Sequence, residues 1–382
     1  MSFTFLTSTL DERRQNNQFR RRHCIETIDQ QLISVNNKQY VNFSSNDYLG
    51  LNNHQSINQA LCDGAKQFGT SSCSSSLVTG YSYAHQALEN EICQWQNKER
   101  CLLFSSGFAA NLGTLQALKH AGTKLYLDKL SHASLIDGAR LASVGNQNPV
   151  KRFKHNDPSH LNKLLQAERD NQLVVTESVF SMDGDCAPLT EIKQLSAKYN
   201  AMLYVDDAHG LGVLGQQGEG GASLCQSDIT MGTFGKAIAT QGAFIGCDKN
   251  LFDYLINFSR EYIYSTAISP AVAWSTLTSI KLIQKEHWRR EKVQELSQLF
   301  KSKLDSSITL LPNDSSIHAI VIGDEDKALS VSEKLKKEGF WVSAIRPPTV
   351  PKGTSRLRVT ICQNHNARDI IRLAENINKA MV

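Results

Sequence analysis

The sequence predicts an α/β fold on a mainly parallel sheet, and three observations carry that expectation. Brief apolar runs recur through the first two thirds of the chain, helical patterns lie between several of them, and polar residues gather just after the runs. Short apolar strands separated by helices read as strands buried on both faces, which is the signature of a parallel sheet covered by helices.

The elements follow in order. Cys101-Leu102-Leu103-Phe104 reads as a strand, Ser105-Ser106-Gly107 as a turn, and Phe108 to Lys119 as a helix with one buried face. Lys124 to Leu127, Leu173 to Thr176, Met202 to Val205, Ile229 to Thr233 and Ala243 to Gly246 repeat the brief apolar theme, and Glu191 to Tyr199 is a helix between two of them. After about Ser269 the pattern changes to long amphipathic helices, Glu291 to Lys303, Asp326 to Glu338 and Ala367 to Met381. These alternate with strands at His318 to Ile322, Trp341 to Ile345 and Leu357 to Ile361. The expected organisation is an N-terminal segment, 1–45, packing with a small C-terminal α/β domain, 269–382, and a large domain, 46–268, between them.

Composition narrows the function classes. A hydrophobic content of 41% and a charged content of 20% are ordinary for a globular protein. A net charge of +4, with Arg20-Arg21-Arg22 as its one dense basic run, argues against nucleic acid as a partner. Nine cysteines without CxxC or Cys/His ligand spacing read as reduced small residues, so no metal is expected and the cytoplasm is the expected location. The N-terminus has no signal-like apolar core, and no stretch approaches the roughly 18 apolar residues of a membrane span.

The candidate chemistry sits at the strand ends, where open α/β sheets place their ligands. Val205-Asp206-Asp207-Ala208-His209 is an acid-tipped strand end, followed later by Thr233-Phe234-Gly235-Lys236. A lysine paired with an aspartate is what an aldehyde cofactor needs: an amine to anchor it as a Schiff base, and a carboxylate that keeps a pyridine nitrogen protonated. Gly107 and Phe108 open a helix whose unpaired N–H groups suit a phosphate, and Thr233 offers a hydroxyl to the same group. His132 could stack its flat ring on a flat cofactor or hydrogen-bond a substrate. His209 can reach the ring's polar edge, and Glu177 to Asp185 supplies hydroxyls and acids, Ser181 among them, at the same rim.

The motifs together resemble the α-oxoamine synthase family of fold-type I pyridoxal phosphate enzymes. They are Asn42 to Gly50, His85 to Glu89, Ser106 to Asn111, Leu130 to Ser134, Phe180 to Gly184, Val205 to Gly210, Thr233 to Lys236 and Ile345 to Pro351. The stretch Ala344 to Pro351 is similar, more narrowly, to the oxononanoate-forming members.

The resemblance implies a decarboxylating condensation of L-alanine with a pimeloyl thioester, carried on CoA or acyl carrier protein, that yields 8-amino-7-oxononanoate for biotin. Glycine C-acetyltransferase, another α-oxoamine synthase, or an inactive partner subunit of the same fold are the alternatives. It implies pyridoxal 5′-phosphate held by Lys236, with Asp206 on the ring nitrogen, His132 on the ring face, and His209 and Ser181 at the ring's edge. Gly107, Phe108 and Thr233 would bind the phosphate. Ser265 and Thr266 would reach the phosphate of the neighbouring subunit in a homodimer with shared sites. Asn46 and Arg358 would hold the substrate α-carboxylate, and Arg20, Arg346 and Thr349 would face the acyl group. One departure stands out. From Gly69 to Gly80, serines and Cys73 replace glycines common in the family, which narrows the backbone conformations open to a loop expected near the acyl channel.

Overall fold

A computed structural model describes residues 3–120, 122–141, 150–167 and 170–381, with Lys119 and His120 described by backbone alone. The chain divides into two compact units, one made of 1–48, 182–185 and 291–382, the other of 49–181 and 186–290.

The first unit begins with a helix, Phe5–Gln15, and three antiparallel strands, β1 (Thr27–Asp29), β2 (Leu32–Val35) and β3 (Lys38–Asn42). Asn36 and Asn37, at φ of 52° and 59°, close the β2–β3 hairpin, the left-handed pair that a two-residue turn requires.

The second unit holds a seven-stranded sheet. Its strands are β4 (Arg100–Phe104), β5 (Lys124–Asp128), β6 (Lys151–Phe153), β7 (Gln172–Glu177), β8 (Met202–Asp206), β9 (Ile229–Thr233) and β10 (Ala243–Cys247), arranged β4-β10-β9-β8-β7-β5-β6. The β6, β5, β7, β8 and β9 pairings are parallel, while β10 runs antiparallel to both β4 and β9. All six residues of β7 are buried, as expected for a strand covered on both faces. Helices are started by local chemistry: the Asp157 side chain caps His160 N–H ahead of Pro158, and the Ser269 hydroxyl caps Val272 N–H ahead of Pro270. The helix Pro270–Lys285 packs on Gln55–Phe68 so closely that a Cβ on Gly64 would come within 2.9 Å of Ala271 Cα.

The first unit resumes with β11 (Ile317–Gly323), β12 (Phe340–Trp341), β13 (Ser343–Ile345) and β14 (Ser355–Thr360). β12 adds parallel to β3, whereas β11 and β13 flank β14 antiparallel. The expected single strand Trp341 to Ile345 is thus two strands in different sheets, separated by buried Val342. Phe43, Phe300, Phe340, Leu357 and Ile370 form the centre of this unit's core. Among the described residues, no helix is long and apolar enough to cross a membrane.

Candidate active site

The parallel strands of the second unit end on one rim, and their loops carry the polar side chains. A cavity of about 190 Å³ opens there, lined among others by Gly107, His132, Asp206, His209, Thr233 and Lys236. The sheet order makes β8 and β9 neighbours, so Asp206 and the Lys236 loop leave adjacent strands. Lys236 Nζ lies 2.8 Å from His209 Nε2.

Asp206 is 4% exposed. Its Oδ1 accepts from Ala208 N–H at 3.0 Å and its Oδ2 from Asn111 Nδ2 at 2.8 Å. Asn111 also donates to Ser134 Oγ at 2.8 Å and accepts from the Tyr204 hydroxyl at 2.6 Å. Ser134 Oγ in turn meets His132 Nδ1 at 2.7 Å. The adjacent Asp207 turns away from the cavity, where Ser178 Oγ and Ala222 N–H donate to it; burial pushes its carboxyl up to about 6. Burial lowers the pKa of His132, with nearby Asp206 acting in the opposite sense.

The residues present fit pyridoxal phosphate. Gly107 and Phe108 begin the helix Gly107–His120, whose first N–H groups have no intrahelical partner. A Cβ on Gly107 would stand 3.6 Å from Met231 Cε and Thr233 Cβ, in the space beside those amides. A buried carboxylate, a primary amine and a helix N-terminus in one small cavity match a ring nitrogen, an aldehyde and a phosphate. At about 190 Å³ the cavity is smaller than the roughly 300 Å³ of a drug-sized pocket, which suits a small flat cofactor.

The first unit brings together the residues expected to bind substrate. Arg358 is 8% exposed and donates to Asn46 Oδ1 and to Thr360 Oγ1, each at 3.2 Å. Tyr48 OH donates to the same Asn46 oxygen at 3.2 Å, and burial raises its pKa against the pull of Arg358. Arg356 is instead paired with Asp183. A second cavity, about 800 Å³, is lined by Arg14, Arg20, Arg21, His23, Lys336 and Arg346 among others. Arg346 donates to the Asn17 carbonyl, and Thr349 donates its N–H to Arg346 O at 3.0 Å.

Not every expected residue joins these cavities. Among the described residues lining the smaller one, Ser181, Ser265 and Thr266 do not appear, and Thr266 instead forms a backbone bridge to Ser75. The serine-rich loop lies against the backbone of 266–268: Ser72 Oγ donates to Ile268 O at 2.6 Å, Ala267 N–H donates to Ser74 O at 3.0 Å, and His85 Nε2 approaches Ile268 O at 2.8 Å. Within it Cys73 takes φ 52°, a glycine-like conformation held by a non-glycine residue. The structure adds Asn111, Ser134, Ala208 and Met231 to the cavity wall, and of the expected acidic and hydroxyl segment 177–185 it brings Glu177 there. Asn111 follows Gly107 by one helical turn, and that i,i+4 spacing is the sequence signal that places it beside the phosphate turn.

Comparison with known proteins agrees with this geometry. The family model described as "Aminotransferase class I and II" matches residues 38–377. An 8-amino-7-oxononanoate synthase of Vibrio campbellii is 42% identical over 378 residues, 98% of this chain and 97% of that one, and its counterpart in Salmonella arizonae is 44% identical over 377 residues, 97% of each. Among solved structures, the serine palmitoyltransferase of Sphingomonas wittichii superposes with a TM-score of 0.90 at 27% identity, covering 99% of this chain and 97% of that one. An 8-amino-7-oxononanoate synthase of Francisella tularensis gives 0.77 at 28% identity, covering 89% and 97%. With that span of match and those identities, the chain belongs to the aminotransferase class I and II family, the fold-type I enzymes of pyridoxal phosphate.

Proposed function

We propose that this chain is a pyridoxal phosphate-dependent acyltransferase that condenses L-alanine with a pimeloyl thioester to give 8-amino-7-oxononanoate for biotin. A carbon–carbon bond forms at Cα, the carbon–sulfur bond breaks to release CoA or the carrier thiol, and the alanine carboxylate leaves as CO2. The observation that carries this reading is Lys236 and Asp206 in one small cavity, in a chain 42% and 44% identical to two oxononanoate synthases.

Bound there, the cofactor supplies an aldehyde that captures an amine and a ring that draws negative charge from the captured carbon. Lys236 anchors it and later moves the proton of alanine Cα. Asp206 holds a proton on the ring nitrogen. His132 would cover the ring face and keep water from it, and His209, which lines the same cavity, would meet the ring's polar edge. Gly107, Phe108 and Thr233 bind the phosphate through backbone N–H groups and a hydroxyl. Asn46 and Arg358 receive the amino-acid carboxylate, a task suited to a guanidinium already oriented by Asn46 and Thr360. Arg20, Arg346 and Thr349 serve the acyl donor, in keeping with the basic lining around Arg20 and Arg346.

The working assembly is a homodimer in which Ser265 and Thr266 reach the neighbouring subunit's phosphate. Tyr264, 71% exposed beside them, and Phe108, 45% exposed, are large apolar surfaces that suit such an interface. Cytoplasmic residence belongs to the same reading and accords with nine cysteines that all remain thiols.

The test is product analysis of the cofactor-loaded protein with L-alanine or glycine, each offered pimeloyl-CoA, pimeloyl-acyl carrier protein or acetyl-CoA. Oxononanoate from alanine and a pimeloyl donor is expected. Product only from glycine and acetyl-CoA would replace this reading with that of a glycine C-acetyltransferase.

A further inference from the structure

Glu177 ends β7 in register with Asp206 on β8, so the two side chains leave neighbouring parallel strands, about 4.8 Å apart, on the same face. Glu177 is 3% exposed and lines the same small cavity. Its Oε1 accepts the backbone N–H of His132 at 2.5 Å.

Two buried carboxyls on paired positions of adjacent strands cannot both carry charge without a large electrostatic cost. The charged groups facing Glu177 are Asp206, Lys236 and Asp128, and the backbone N–H of His132 is its hydrogen-bond donor. Asp206 is the better placed to be the anion, since it accepts from Asn111 and from Ala208 N–H. Glu177 is given one backbone donor, and Lys236 Nζ is engaged with His209. Burial, and then Asp206, raise the Glu177 pKa well above the usual carboxylate range, against the smaller effects of His132 N–H and Lys236.

We propose that Glu177 is the positioning residue for His132 and that it acts as an uncharged carboxylic acid. His132 is then fixed at two points: its backbone by Glu177 Oε1, and its ring by Ser134 Oγ, 2.7 Å from Nδ1. The height and tilt of the imidazole over the cavity follow from both. Glu177 itself touches no reacting atom in this account. The inference rests on the proposed cofactor site, but not on the identity of the acyl donor.

The experiment compares Glu177→Gln and Glu177→Ala with the parent. In the apoprotein at pH 7, the infrared difference spectrum of parent minus Glu177→Gln should contain the carbonyl stretch of a protonated carboxyl. In the loaded enzyme, L-alanine binding is followed by the change in visible absorption, with no thioester present. Glu177→Gln, which retains an acceptor for His132 N–H, should weaken alanine binding by no more than about fivefold, and Glu177→Ala by about fiftyfold, the ratio expected for one buried hydrogen bond. The absence of a protonated-carboxyl band from that difference spectrum, or Gln as damaging as Ala, would overturn the uncharged acid. Alanine binding unaltered in Glu177→Ala would overturn the positioning role. Because no acyl donor enters either measurement, failure here is distinct from a wrong choice of substrate.

Discussion

Asn111 holds Asp206 in place: its Nδ2 stands 2.8 Å from Asp206 Oδ2, and its own orientation is set by the Tyr204 hydroxyl at 2.6 Å from Oδ1. The amide cannot flip without presenting its oxygen to the carboxylate. Asn111→Ala is expected to leave the Tyr204 hydroxyl and one Asp206 oxygen unpaired inside the protein, at about 1.5–3 kcal/mol for a bond to a charged group. Cofactor binding should weaken about tenfold or more, measured by fluorescence titration of the apoprotein.

Lys236→Ala is expected to abolish turnover, since the amine that anchors the cofactor and moves the Cα proton is then missing. The visible absorption of the loaded enzyme should vanish with it. Normal turnover in this variant would remove the basis of the proposed mechanism.

Asp206→Asn separates binding from chemistry. The amide retains the shape and an acceptor for Ala208 N–H, so cofactor should still bind, but it cannot hold a proton on the ring nitrogen and most activity should be lost. Comparing the absorption spectrum with kcat for the same preparation checks both halves.

Much of this arrangement was legible in the sequence, for a physical reason. Buried parallel strands announce themselves as apolar runs, and residues following the runs must lie at the sheet's rim, which is why Asp206, Lys236, His132 and Gly107 could be named from order alone. Tyr204 could not, nor could the partners of Asn111 and Glu177, because each acts by meeting a group far away in sequence, and pairing of that kind is fixed only by the strand order. The antiparallel direction of β10 was equally hidden, as Ala243 to Gly246 reads the same either way. The β2–β3 hairpin did carry a signal: Asn36-Asn37 between alternating residues marks a left-handed turn.

Arg346→Ala and Arg20→Ala test the acyl site. Each is expected to raise KM for the pimeloyl donor far more than for alanine, by up to about 1.5–3 kcal/mol for a lost charge-assisted hydrogen bond. Arg346 also donates to the Asn17 carbonyl, so its removal should lower Tm slightly as well. Equal shifts in both KM values would sink the assignment.

Acid should destabilise the first unit through two histidines. Burial lowers the pKa of His318 to about 3 and that of His365 to about 4. His318 is fully buried, and no hydrogen-bond partner is found for either ring nitrogen among the described residues. A base whose folded pKa lies below its unfolded value of about 6.5 favours the native state only while neutral. Stability is therefore complete above pH 6.5. It falls by about 1.4 kcal/mol per pH unit per histidine until the folded pKa is reached. Buried carboxyls such as Asp207, raised to about 6, act in the opposite sense over part of that window. The difference between parent and His318→Phe isolates one histidine: urea unfolding from pH 7 to pH 4 should show a shallower loss in the variant.

The dipeptide Asp206-Asp207 sets two identical side chains on opposite sides of one strand end. The first faces the cavity and the second holds the loops of Ser178 and Ala222. Because strand side chains alternate, a slip of one residue in β8 would exchange their duties without changing a letter of the local sequence. The same Asp→Asn replacement at two adjacent positions should therefore give opposite phenotypes: at 206 a well-folded protein that does not react, and at 207 a protein whose rim loosens before its chemistry is ever tested.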